Sequence, residues 1–231
     1  MKKKKYFSTL NLQTDPKASR KTMYELDASC GFTENIETSN PIMTVLLNSV
    51  EPGIDDVKLY LIESKGSGKY RSKLSDGTEI SAEITSEVVE NHRANYMEEL
   101  EAVKQRAGTF QCEVMPIKLE DDTNKSYMRL ARDIMAQIED GDLIYMDITY
   151  GNKPLPIVQF LAMTYAVKIR RNVEICVMSY GSFYGTSIPK PTLINLTSFF
   201  LLNNLMTNLP PLEQADKLVD NIIGGLVEDN E

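Results

Sequence analysis

Residues 142–156 determine the architecture of this chain, and they read Asp-Leu-Ile-Tyr-Met-Asp-Ile-Thr-Tyr-Gly-Asn-Lys-Pro-Leu-Pro. The first part, Leu143 to Ile148, is apolar and partly β-branched with a single Asp near its end, which is typical of a buried parallel strand. Thr149 to Asn152 interrupt the apolar pattern. A second apolar run, Leu155 to Ile169, has helical length, with Pro156 near its start where proline is tolerated. The stretch therefore predicts a strand, a tight polar loop and a helix.

The loop in this stretch is the best candidate for an anion site in the sequence. Backbone N–H groups at the start of the following helix are expected to point back toward the strand end, where the helix dipole favours negative charge. Thr149 adds a hydroxyl, Lys153 adds a positive charge, and Gly151 lets backbone approach a ligand closely. Because ligands of doubly wound sheets bind beyond the carboxyl ends of the strands, we expect a phosphate-bearing ligand at this loop.

The same residues resemble the motif of a known family. Asp147–Gly151, Asp-Ile-Thr-Tyr-Gly, resembles the D-x-T-H-G motif of CARF domains, the CRISPR-associated Rossmann-fold sensors, with Tyr150 where His is usual. The acidic turn at Glu139–Asp142 and the Pro-containing apolar helix after the motif also fit the family. A first strand ending in Phe7-Ser8-Thr9-Leu10-Asn11, followed by Tyr24-Glu25-Leu26, extends the resemblance over most of residues 5–200.

The resemblance implies a homodimer that binds a cyclic oligoadenylate, most often the four-adenosine ring, across its two-fold axis. A symmetric ring suits an interface to which each subunit contributes the same residues. In this chain the expected ligand-binding residues are Ser8, Thr9, Leu10, Asn11, Thr149, Tyr150, Gly151, Asn152, Lys153, Tyr180, Gly181 and Ser182. Asp147 is expected to brace the loop, because a carboxylate facing phosphates would repel them.

Alternation of strands and helices predicts a Rossmann-like α/β fold, with a mostly parallel sheet and helices on both faces. We predict strands at 5–11, 57–62, 110–117, 143–148 and 173–179, and helices beginning at Pro41 and spanning 122–138 and 155–169. Residues 180–185 are expected to form the loop after the last of these strands, where Tyr180 and Tyr184 could stack on bases. Residues 1–209 are expected to form the domain, in which 65–107 comprise a flexible loop (65–80) and a long polar outer helix (80–107). Residues 210–231 are expected to form a C-terminal helix and an acidic tail.

Four local predictions concern single features. The run Lys2 to Lys5 is expected to be a solvated N-terminus. His92, the only histidine, lies in a charged segment and is expected at the surface. Tyr24 to Leu26 is expected to begin the second strand of a hairpin. Asn40 is expected to cap the helix that begins at Pro41.

Composition limits the classes of function that this chain can have. With 231 residues and 42% hydrophobic side chains it is long enough for one domain with a sizeable core. Its net charge of −8 argues against broad binding to duplex nucleic acid. The three cysteines are far apart and form no metal-binding spacing, and no apolar run approaches bilayer length, so we expect a soluble cytoplasmic protein without disulfides, metal or cofactor.

Three functions stay open at this stage. The chain is either a sensor module, whose effector domain or protein lies outside it, or a metal-independent ring nuclease that cleaves its own ligand. In the second case a ribose 2′-OH attacks the adjacent phosphate, and Lys153 with a hydroxyl such as that of Thr149 would serve as catalytic groups. Tyr150 in place of His removes an acid–base group and favours the sensor. A third possibility, apart from the resemblance, is a generic mononucleotide binder.

Overall fold

The computed structural model describes residues 3–12, 21–64, 69–73, 79–83, 85–182 and 190–208, and only the backbone at 69–73 and 79–83. The predicted C-terminal helix and acidic tail lie outside these ranges. The elements in chain order are β1 (Lys3–Thr9), β2 (Glu25–Leu26), α1 (Ile42–Ser49), β3 (Asp56–Ser64), β4 (Lys69–Lys73), β5 (Glu79–Glu83), α2 (Ser86–Ala107), β6 (Cys112–Leu119), α3 (Asn124–Ala136), β7 (Leu143–Asp147), α4 (Pro154–Ile169), β8 (Glu174–Ser182), β9 (Thr192–Asn195) and α5 (Thr197–Asn208).

The main sheet has the strand order β2-β9-β8-β7-β1-β3-β6. Five consecutive strands, from β8 through β7, β1 and β3 to the edge strand β6, are mutually parallel. β9 runs antiparallel to β8, and the short β2 pairs in parallel with β9. This arrangement confirms the predicted Rossmann-like α/β fold with a mostly parallel sheet.

The strand order reverses between β1 and β7. From β1 the chain proceeds outward through β3 to β6, then returns to the other side of β1 to form β7 and β8. At such a switch point the loops after the two neighbouring strands diverge to opposite faces, which leaves a crevice beyond their carboxyl ends. The loop that follows β7 therefore lies at the position where this class of sheet binds ligands.

Helices cover both faces of the sheet because alternate strand residues point to opposite sides. On one side Tyr6 and Tyr145 pack in a core with α1 and α2. On the other side Phe7 and Met146 pack in a second core with α3, α4 and Phe200 of α5. The fully buried strands are apolar on both faces, as parallel strands between two helical layers require.

The prediction of a solvated N-terminal lysine run is wrong for Lys4 and Lys5, which are each 3% exposed. Their side chains point to opposite faces of β1, and each ammonium group contacts a buried aspartate just before a neighbouring strand. Lys4 Nζ lies 2.7 Å from Asp55 Oδ2, and Lys5 Nζ lies 2.7 Å from Asp142 Oδ2. The two pairs fasten the turns before β3 and β7 to the start of β1.

Four further predictions are wrong in detail. Within the segment predicted as a flexible loop, β4 and β5 pair as an antiparallel hairpin, and α2 begins only at Ser86. His92 is 4% exposed, because it shares the inward face of α2 with Tyr96 and Val103. β2 forms no hairpin with β1 but pairs with β9, and α1 begins one residue later than predicted, at Ile42.

Candidate functional site

The candidate site is the anion loop, defined as residues 148–153, which connects β7 to α4 at the switch point. Thr149 and Tyr150 are half-buried, whereas Gly151, Asn152 and Lys153 are exposed. The loop follows a fully buried strand end and precedes the apolar helix α4, so a short run of exposed polar residues lies between two apolar elements. This confirms the strand–loop–helix predicted for residues 142–156.

Asp147 braces the loop from below, as predicted. Its side chain is fully buried, and Oδ1 accepts hydrogen bonds from the hydroxyls of Thr149 at 2.5 Å and Ser179 at 3.4 Å. Oδ2 has no hydrogen-bond partner among the described residues. Burial raises the pKa of Asp147 to about 7, although hydrogen bonds from Thr149 and Ser179 oppose the rise.

The Thr149 hydroxyl holds the loop against the next strand. It donates to Asp147 and accepts a hydrogen bond of 2.7 Å from the backbone N–H of Gly181 in β8. Both roles of the hydroxyl are therefore occupied by protein groups. Thr149 fixes the position of the loop, and the exposed residues that follow it face solvent.

Two side chains tie the loop to the helical layers on either side. The Tyr150 hydroxyl donates to the Ser39 carbonyl oxygen at 2.7 Å, on the side of α1. The Asn152 amide donates to Asp122 Oδ1 at 2.6 Å and contacts the Tyr127 hydroxyl, on the side of α3. Burial, followed by the charge of Asp147, raises the pKa of Tyr150, which therefore remains a neutral hydrogen-bond donor.

Gly151 is required by its backbone conformation and by its surroundings. Its φ of 110° lies in a region that residues with a side chain rarely adopt. A Cβ built on Gly151 would lie 2.4 Å from Leu155 Cδ2 and 3.1 Å from Leu155 Cβ. The loop backbone thus approaches the first turn of α4 as closely as only glycine permits.

The start of α4 offers fewer backbone donors than the sequence pattern suggested. Pro154 and Pro156 have no N–H, and the N–H of Leu155 already donates to the Asn152 carbonyl oxygen at 2.9 Å. The prediction of a row of free N–H groups is therefore wrong for this turn. The helix dipole and the exposed side chain of Lys153, which occupies the N-cap position, still favour an anion here.

The ligand-binding residues predicted at the end of the first strand, Ser8 to Asn11, are buried. Ser8 and Thr9 end β1 and are fully buried, Leu10 lies in the core beside α1, and Asn11 is 7% exposed. Thr9 Oγ1 accepts a hydrogen bond of 3.0 Å from Gln159 of α4. These residues form the floor beneath the anion loop.

Tyr180, Gly181 and Ser182 lie in β8 and pair with β9, so the prediction that they form a loop is wrong. Pairing with β9 extends the strand past the point where its apolar run ends. Gly181 is needed for close packing, since a Cβ there would lie 2.7 Å from Pro41 Cγ. The rest of that predicted loop, including Tyr184, lies outside the described residues.

Four residues that shape the site are not among the residues predicted for it: Ser39, Asp122, Tyr127 and Gln159. Each reaches the loop or its floor from an element distant along the chain. Only Gln159 carries a signal, because a lone amide in the apolar run of α4 requires a buried partner. In the part of the chain that the structure describes, no group of three or more His, Cys, Asp or Glu is arranged to hold a metal ion.

Comparison with protein-family models and with curated proteins returned no match to this chain. None of the helices in the described ranges is both long and apolar enough to cross a membrane. The class that fold and site define is a Rossmann-like α/β domain with a polar loop at its switch point.

Proposed function

We propose that this chain is a CARF-type sensor module that binds a cyclic oligoadenylate, in the simplest case cyclic tetra-adenylate, across a homodimer in CRISPR antiviral defence. The observation that carries the proposal is the anion loop: a D-x-T-x-G segment at the switch point, ending in the exposed Lys153 at the start of α4. An effector domain or protein outside this chain would receive the signal.

Electrostatics near the loop favour an anionic ligand of modest size. The whole chain carries a net charge of −8, so an extended polyanion would be repelled. Lys153 and the dipole of α4 supply positive potential at one point only. A compact ring with few phosphates matches this local potential better than a duplex, and two subunits would present two lysines to one ring.

The surface of α4 supports the dimer. Ile157, Leu161, Tyr165 and Ile169 are 50–61% exposed and recur every fourth residue, so they form one apolar stripe along the helix. Exposed contiguous apolar surface of this kind indicates an interface. A two-fold axis parallel to α4 would pair two such stripes and bring both Lys153 side chains to the same end, where one ring contacts both subunits.

The occupied hydroxyl of Thr149 favours binding over cleavage. Cleavage by a ribose 2′-OH needs groups that orient the nucleophile and stabilise developing charge. Thr149 already donates to Asp147 and accepts from Gly181, and the Tyr150 hydroxyl donates to Ser39. Lys153 is the exposed charged group of the anion loop, which suffices for phosphate binding, and ring cleavage is an alternative outcome of the same assay.

Lys153→Ala tests the proposal against a control on the same helix. Lys168→Ala removes the same charge from an exposed position in the last turn of α4, far from the loop. In calorimetric titrations with cyclic tetra-adenylate, we expect Lys153→Ala to lose measurable binding and Lys168→Ala to retain wild-type affinity. Equal affinity for the wild type and Lys153→Ala would remove the site assignment.

A further inference from the structure

Glu99 is a buried carboxylate in the middle of α2 whose partners are all uncharged. It is 3% exposed, and four hydrogen bonds converge on it from three consecutive residues. Oε1 accepts from the Ser39 backbone N–H at 2.9 Å and hydroxyl at 2.8 Å. Oε2 accepts from the Thr38 hydroxyl at 2.5 Å and the Asn40 amide at 2.9 Å. Because charge-assisted bonds are strong and a buried carboxylate is costly without them, this cluster holds residues 38–40 firmly.

Residues 38–40 contact the anion loop directly. Ser39, whose N–H and hydroxyl bond to Glu99, also accepts a hydrogen bond of 2.7 Å from the Tyr150 hydroxyl through its carbonyl oxygen. The next residue, Pro41, packs over Gly181, where an added Cβ would lie 2.7 Å from Pro41 Cγ and 3.3 Å from Thr149 Cγ2. The segment that Glu99 holds therefore accepts a hydrogen bond from the loop, and the residue after it packs against Gly181, whose N–H bonds to Thr149 of the loop.

We propose that Glu99 is a positioning residue for the anion loop. By fixing Ser39 it fixes the acceptor of Tyr150, and through Tyr150 it presets the conformation that presents Lys153. The ligand named in the test rests on the proposed function, whereas the coupling from Glu99 to the loop exists without any ligand. The contacts involved form an unbroken chain from α2 to the loop.

Glu99→Gln is the informative substitution because it keeps the shape of the side chain. Its carbonyl oxygen can still accept two bonds, but its amide nitrogen would face donors in place of an acceptor. The matched control is Glu98→Gln, which makes the same charge change at the adjacent position, where the side chain is 74% exposed. Ser39→Ala, which removes one of the four bonds and keeps the carboxylate, replaces Glu99→Gln if that variant does not fold.

Hydrogen exchange of the ligand-free protein tests the coupling first. We expect Glu99→Gln to speed amide exchange at residues 148–153 and at Gly181, and Glu98→Gln to leave it unchanged, while the distant pairing of β3 with β6 keeps its protection in both. Unchanged exchange in the loop of folded Glu99→Gln would overturn the inference, whether or not the ring binds.

Ligand affinity then tests whether Glu99 acts through Tyr150. We expect Glu99→Gln and Tyr150→Phe each to weaken binding of cyclic tetra-adenylate between about 2-fold and about 30-fold. The double variant should be no weaker than the weaker single variant, because both remove the same support. If the double variant loses affinity by the product of the two single-variant factors, the route through Tyr150 is overturned.

If the wild type binds no ring, the proposed function fails and the exchange result alone decides the role of Glu99.

Discussion

Replacing Asp147 by asparagine tests the electrostatics beneath the anion loop. Asp147 is fully buried, its Oδ2 has no hydrogen-bond partner among the described residues, and burial raises its pKa to about 7. In the unfolded chain the same carboxyl ionises near its ordinary value of about 3.9. Between these two values the folded protein keeps a proton that the unfolded chain has lost, so the free energy of unfolding falls as pH rises.

The size of this effect follows from the two pKa values. The slope is about 1.4 kcal/mol per pH unit while the folded form stays protonated, and it vanishes above the folded pKa. Between about pH 5 and about pH 8 the wild type should lose about 2.5 kcal/mol that Asp147→Asn does not lose. Tyr24, Tyr96 and Tyr150 surround the carboxyl, but burial raises their pKa values, so they stay neutral over this range.

Urea unfolding of both proteins across this pH range measures the difference directly. Other titrating groups contribute equally to wild type and variant, so their effects cancel in the difference. A flat difference between the wild type and Asp147→Asn would refute the reasoning, because it would mean that Asp147 ionises at the same pH in the folded and unfolded chains.

Three further substitutions test the loop, the N-terminal ion pairs and the proposed dimer. Gly151→Ala should destabilise the protein by about 1–3 kcal/mol in urea unfolding, through strain and the clash with the first turn of α4. Gly141→Ala, at a φ of 82° with open space around its Cβ, should be milder, and equal losses would contradict the steric argument. Lys5→Met should lower the free energy of unfolding by about 3–5 kcal/mol, because it leaves the buried Asp142 without its positively charged partner. Lys3→Met breaks only an exposed pair and should leave the unfolding midpoint nearly unchanged, so a comparable loss there would refute the distinction. Leu161→Glu should yield a monomer by light scattering, and a dimer that survives would place the interface elsewhere.

The sequence predicted the fold where one local pattern sufficed. The apolar run to Asp147, the break at Thr149 and the apolar helix after it are all local signals, and the structure confirms them. The helix predicted over 122–138 forms as α3, and Leu130 and Ile134, which are spaced to share one face of a helix, are buried. These elements were predictable because their burial follows from neighbours in the chain.

The predictions failed where distant segments decide the environment. Lys5 is buried because Asp142, far along the chain, lies 2.7 Å from its ammonium group in the turn before β7. His92 is buried because a long polar helix still turns one face inward, a signal present in the spacing of His92, Tyr96 and Val103. Glu99 has no local signature at all, since its partners precede a helix some sixty residues earlier. Such contacts are properties of the assembled fold and not of any single pattern.

Incubation of the protein with cyclic tetra-adenylate, without metal, tests the central claim most directly when binding and ligand mass are followed together. We expect saturable binding of one ring per two chains, with the ring mass unchanged. Conversion to linear products that bear a 2′,3′-cyclic phosphate would make the chain a ring nuclease. Failure to bind any ring size would contradict the proposed function.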